Sequence, residues 1–192
     1  MSKGVLAKEL KRLSERDPLT GLYNRRRLHE EIQRQLAILH RHARPFALLM
    51  IDLDHFKQVN DTAGHATGDA LLVEVAHALK RQSRTADYVA RIGGDEFVFL
   101  LTEVKEGAVE AVTAKLLNAL RAIRVPAGDT TVAPSASIGG LTCLPPGDRT
   151  WTPESVLSAA DLQLYAAKAA GRNGASHRSL ALATQPPASV PS

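Results

Sequence analysis

The chain has 192 residues, a net charge of +4 and a hydrophobic share of 44%, which suits one globular domain with a full core. Aromatics are only 4% and no basic stretch is interleaved with them, which argues against a nucleic-acid polymer as partner. The lone Cys143 excludes an intrachain disulfide and a cysteine-cluster metal site, and the longest purely apolar run, 46–51, is too short to span a bilayer.

Residues 1–16 are charged and helix-prone, with Leu6, Leu10 and Leu13 in a heptad-like seam. Such a stretch is either a solvated helix or the end of a dimerising linker. Pro18 and Gly21 then make a turn, and Asn24 caps a helix reaching about residue 41, with Leu28, Ile32, Leu36 and Leu39 on one face. The run 46–54 is apolar enough for a strand buried on both faces, and it ends in Asp52 and Asp54. A polar loop over 56–68 carries Lys57, Asn60 and two glycines, and a second helix is expected from about Asp69. Residues 88–101 hold two β-rich runs around Gly93 and Gly94, a hairpin in which the glycines would supply positive φ. A third helix follows over 106–123, then a strand over 131–142 with Pro134 at an edge or bulge. Thr152, Pro153 and Glu154 start a last helix, which runs to 170 and stops at Gly171. From 179 onward the chain is rich in Ala, Pro and Ser without periodicity, the composition of a disordered tail. The order strand, helix, hairpin, helix, strand, helix gives an α+β class: a βαββαβ sandwich with a mixed central sheet and helices on its faces. The expected organisation is a linker over 1–16, a domain over 17–178 and a tail over 179–192.

In that topology the first strand neighbours the hairpin. Asp52 can then face Asp95 and Glu96 at the hairpin turn. Adjacent carboxylates repel unless a cation or proton lies between them, and an all-oxygen donor set suits Mg²⁺ or Mn²⁺ rather than zinc. Lys168 and Arg172, four residues apart, are expected on one face of the last helix as a phosphate clamp, or as a solvated helix end that complements the macrodipole. Lys57 adds a third cation. Carboxylates, a divalent metal and cations together describe phosphoryl or nucleotidyl transfer on a nucleotide.

The segments DPLTGLYNRR at 17–26, IDLDHFKQVND at 51–61, GHATGD at 64–69, RIGGDEF at 91–97, SIG at 137–139 and ADLQLYAAKAAGRN at 160–173 together resemble the GGDEF family of diguanylate cyclases. The resemblance covers 17–173 and implies a palm-like core with a mainly antiparallel sheet. It implies condensation of two GTP into cyclic di-GMP across a homodimer in the bacterial cytosol, without a membrane segment in this chain. It implies metal binding by Asp52, Asp95, Glu96 and the Leu53 carbonyl, with Glu96 helping to deprotonate the attacking 3′-hydroxyl. By the same resemblance Gly93 and Gly94 let the backbone approach the nucleotide, Asn60 and Asp69 read guanine, and Lys57, Lys168 and Arg172 hold phosphates. Asp54 would support the site rather than bind metal. Arg84 and Asp87 resemble the family's RxxD inhibitory site, which binds the product. Rival readings are a non-catalytic module that binds GTP or cyclic di-GMP, and a cyclase making a mixed adenine–guanine product.

Overall fold

The computed structural model describes residues 15–105 and 107–181. The heptad-like seam and residues 182–192 of the tail lie outside the described residues. In chain order the elements are α1 (Arg25–His42), β1 (Phe46–Leu53), α2 (Phe56–Ala63), α3 (His65–Gln82), β2 (Tyr88–Arg91), β3 (Glu96–Thr102), α4 (Ala108–Arg121), β4 (Val125–Ala127), β5 (Thr130–Val132), β6 (Ala136–Cys143), α5 (Pro153–Ala169) and β7 (Ala175–Leu180). The main sheet has the order β2-β3-β1-β6-β7. Its pairs are antiparallel except β6 with β7, so the sheet is mixed and mainly antiparallel, as expected.

β1 sits at the centre and is covered on both sides. Ala47, Leu49, Ile51 and Leu53 pack toward α3 and α4, while Phe46, Leu48 and Met50 pack toward α1 and α5. β3 alternates in the same way, with Phe97, Phe99 and Leu101 on the first side and Val98 and Leu100 on the second. A one-residue slip between these strands would turn every side chain to the other face, so two full cores hold the register. On β6, a Cβ at Gly139 would collide with the α5 backbone at Leu164 and Ala160, so the missing side chain lets α5 lie directly on the sheet.

Both caps read from the sequence are present. The Asn24 side chain accepts from the Arg27 amide, and Thr152 forms a capping box with Ser155 ahead of Pro153.

Four expectations are corrected. The segment 56–68 is not a loop: α2 fills most of it, and α3 begins at His65 after Gly64 rather than near Asp69. α2 offers only Phe56 and Val59 to the core, too few apolar positions for a periodic signal. The strand expected over 131–142 is two: β5 pairs with β4 in a separate small sheet, and β6 starts beyond Pro134. Gly93 and Gly94 are not in the positive-φ region, so the hairpin does not reverse through left-handed glycines. Finally, the fold extends past 178. Ser179 and Leu180 belong to β7, a polar edge strand parallel to β6, and Leu180 is fully buried.

Candidate active site

The register of β1 and β3 places Asp52 directly opposite Glu96. Two carboxylates on facing positions of one sheet surface repel, and nothing in the strand geometry separates them. Asp95 is added by the turn, where the Leu53 amide donates to the Asp95 carbonyl at 3.3 Å. The sequence-expected trio is therefore brought together at one end of the sheet.

Burial raises the pKa of Asp95 above the ordinary value, and the negative charge of Asp52 raises it further. Glu96 is raised for the same two reasons, with Asp95 and Asp161 adding to the repulsion. Asp161, on α5, is a fourth acid at this site that the motif reading did not single out. The compensating cation is Lys168, whose Nζ donates to Asp52 Oδ2 at 2.6 Å from the last turn of α5. Gly93 belongs here for its missing side chain: a Cβ would run into the Glu96 carboxylate. Nothing crowds Gly94.

Among the described residues no group of three His, Cys, Asp or Glu side chains is drawn together as a ready-made metal cage. The donor chemistry nonetheless suits a hard cation. The donors are carboxylate oxygens, they repel one another, and the carboxylate nearest the helix already holds an ammonium.

The turn is held by a clamp that spacing alone did not reveal. Arg91 donates through Nε and a terminal nitrogen to the Gly94 carbonyl, at 3.1 and 2.8 Å, and also reaches the Asp17 carboxylate at 3.2 Å. Burial alone would raise Asp17, but hydrogen bonds from Thr20 and the Arg91 guanidinium outweigh it and hold the pKa low. Arg25, at the start of α1, donates to the Ile92 carbonyl at 3.3 Å.

The other expected residues fall as follows. Asn60 on α2 lies against Gly68 of α3, where any Cβ would collide with its amide, and Asp69 follows Gly68 as an exposed residue of α3. Lys57 is exposed on the first turn of α2, which His55 starts in the left-handed region at φ 57°. Asp54 is buried and occupied, accepting from the Ser135 and Ser137 hydroxyls at 2.8 and 2.7 Å and from the Asn173 amide at 3.0 Å. Arg172 does not share a helical face with Lys168. α5 ends at Ala169, and Arg172 lies beyond Gly171 at φ 63°, followed by Asn173 at φ 46°. Left-handed backbone at residues other than glycine costs on the order of 1 kcal/mol each and needs support from the surroundings.

Arg84 and Asp87 stand away from this cluster, at the opposite end of the β2–β3 hairpin. Asp87 is buried and takes the Arg84 guanidinium in a two-point pair at 3.0 and 2.7 Å. Arg84 also donates to the Thr102 carbonyl at 2.8 Å, and its side chain remains 57% exposed.

Residues 14–174 match the family model described as diguanylate cyclase, GGDEF domain. The chain belongs to the GGDEF family. Its sequence is 38% identical over 171 residues to the probable diguanylate cyclase DgcC of Escherichia coli, a match covering 86% of this chain and 44% of that protein. This GGDEF chain thus spans less than half the length of that relative. Its fold is similar to the crystal structure of the GGDEF domain of YfiN (TpbB) from Pseudomonas aeruginosa, with a TM-score of 0.73 and 37% identity over 85% of this chain and 99% of that one. It is also similar to the coiled coil and GGDEF domain of DgcB from Caulobacter crescentus, solved in complex with c-di-GMP, with a TM-score of 0.80 and 27% identity over 91% of each chain. No helix among the described residues is long and apolar enough to cross a membrane.

The raised pKa of Asp95 makes a signed prediction. A carboxyl whose folded pKa lies above its unfolded value, about 3.9 for aspartate, favours folding only below that range. Its contribution is lost as pH rises through the folded pKa, leaving the cost of burying the charge and the repulsion from Asp52 fully expressed above it. Asp95→Asn should therefore melt a few degrees above the ligand-free parent at neutral pH, and the gain should fade as pH falls through the raised pKa and be gone below about pH 4. Melting curves across pH check this. A variant no more stable than the parent, or a gain independent of pH, contradicts the penalty that burial and repulsion place on the Asp95 charge.

Proposed function

We propose that the chain is a diguanylate cyclase that joins two GTP into cyclic di-GMP and releases two pyrophosphates. The observation that carries the reading is the facing pair Asp52 and Glu96, with Asp95 beside it and Lys168 at its edge, in a GGDEF domain.

The carboxylates of Asp52, Asp95 and Glu96, with the Leu53 carbonyl, would hold Mg²⁺ or Mn²⁺. Such an ion neutralises charge that builds on the phosphates during nucleotidyl transfer. Lys168, Arg172 and Lys57 bind the triphosphate as cations around it. Once phosphate oxygens compete for Lys168, Asp52 is released from the ammonium. Glu96, with its pKa raised by burial and by its acidic neighbours, is suited to take the proton from the attacking 3′-hydroxyl. Gly93 leaves room beside that carboxylate, and Gly94 leaves the backbone open to the nucleotide. Asn60 and Asp69 select guanine, because a carboxylate accepts from the N1–H and N2 amino donors that adenine does not present together.

One such site holds one GTP. Each 3′-hydroxyl must meet the α-phosphate of the other nucleotide, so two chains face each other as a C₂ homodimer. Arg84 forms the inhibitory site for cyclic di-GMP together with Asp87. The exposed part of its guanidinium is available to a phosphate, while buried Asp87 fixes its direction. Membership of the GGDEF family points to the bacterial cytosol.

The direct test is incubation of the purified chain with GTP and Mg²⁺, followed by chromatography of the nucleotides. The parent should yield cyclic di-GMP, with specific activity rising with protein concentration, and Glu96→Gln should yield none. Concentrated, dimeric parent that makes no product yet binds cyclic di-GMP would turn the reading to a binding module. In the same assay, added cyclic di-GMP should slow the parent but leave Arg84→Ala running. Equal inhibition of both would remove the RxxD assignment.

A further inference from the structure

We propose that Arg121 is a positioning residue for the triphosphate subsite: from α4 it fixes the loop that carries Arg172, while Asp54 fixes the same loop from the turn after β1. This rests on the nucleotide reading above and adds to it a residue that the motifs do not contain.

Lys168 and Arg172 are positioned by different means. Lys168 is part of α5 and moves with that helix. Arg172 lies three residues past the helix end, where its place depends on the loop rather than on helical geometry. That loop has an unusual backbone, with Gly171 at φ 116° and the two residues after it in the left-handed region. Arginine does not adopt that conformation without support, so its surroundings must impose it.

Those surroundings converge on Asn173, the neighbour of Arg172. Its amide donates to Asp54 Oδ2 at 3.0 Å. Its side-chain Oδ1 accepts from Arg121 Nε at 2.8 Å, and its carbonyl accepts from a terminal Arg121 nitrogen at 2.7 Å. The flanking bonds close the loop further, with the Arg172 amide donating to the Ala167 carbonyl at 3.2 Å and the Ile138 amide to the Gly174 carbonyl at 2.9 Å. Asp54 is itself tied to β6 through Ser135 and Ser137. The loop is thus braced between the turn after β1, β6 and α4.

Arg121 is exposed, so its contribution does not come from core packing. It spans two acceptors of one residue with a rigid planar fork. A lysine at the same place would keep the charge but could not reproduce the pair of bonds. Asp54, in contrast, is buried and also holds buried Ser137 of β6, so its removal would disturb β6 as well. Arg121 is therefore the position at which the brace can be tested cleanly.

The test is calorimetric binding of a non-hydrolysable GTP analogue with Mg²⁺ to the full chain, which needs no turnover. Arg121→Ala should weaken binding by on the order of tenfold, as misplacement of a charged contact does. Arg121→Lys should fall with the alanine variant, and Asn173→Ala, which removes the side-chain acceptor, should weaken binding in the same direction. Because Arg121 acts through Arg172, adding Arg121→Ala to Arg172→Ala should cause no further loss. Parental affinity in Arg121→Ala, recovery in Arg121→Lys, parental affinity in Asn173→Ala, or a penalty that adds in full to that of Arg172→Ala would each overturn the positioning role. A parent that binds no analogue at all would overturn the nucleotide reading itself, a result distinguishable from the other four.

Discussion

The facing of Asp52 and Glu96 across β1 and β3 is the constraint on which the rest of the molecule depends. Isolated strands would slip to separate these charges. Here they cannot, because both faces of both strands are filled by apolar side chains and a slip would expose two cores at once. The hydrophobic effect thus holds an electrostatically unfavourable arrangement in place. Burial first, and this repulsion second, raise the pKa of Asp95 and Glu96, and Lys168 captures Asp52. A cation added between these carboxylates would relieve their mutual repulsion.

Around this centre the chain uses arginine to lock backbone rather than to meet charge alone. Arg91 ties the Gly94 carbonyl to Asp17, so the segment just after the N-terminal stretch is joined mechanically to the turn that carries Asp95 and Glu96. Arg121 does the corresponding work on the loop after α5, and Arg84 closes the turn before β2 onto the Thr102 carbonyl. Each uses a planar fork to fix two points, which suits loops that must hold a defined shape without a core beneath them.

Much of this was legible in the sequence because it rests on strong local signals. The apolar run ending at Asp52, the hairpin around Gly93 and Gly94, and the Thr152-Pro153 start of α5 each announce one structure. The parts that were not legible depend on distant partners. α2 buries too little to show a period, and β7 is a polar edge strand that gains its structure from pairing with β6. Arg172 looked helical because its spacing from Lys168 is four residues, yet the helix ends before it. Arg121 and Asn173 are 52 residues apart in the chain, and no spacing rule joins them. Asp161 could have been suspected, since it lies about two helical turns before Lys168 and so on the same face of α5. Its effect on Glu96, however, appears only when α5 is laid on the sheet.

The most direct test of the assembled carboxylates is a titration of Mn²⁺ followed by electron paramagnetic resonance, with a non-hydrolysable GTP analogue present and with Asp52→Asn as comparison. Tightly held Mn²⁺ in the parent, lost from Asp52→Asn, is the result predicted here. Mn²⁺ bound equally by both proteins would contradict the claim that these opposed carboxylates exist to hold a cation.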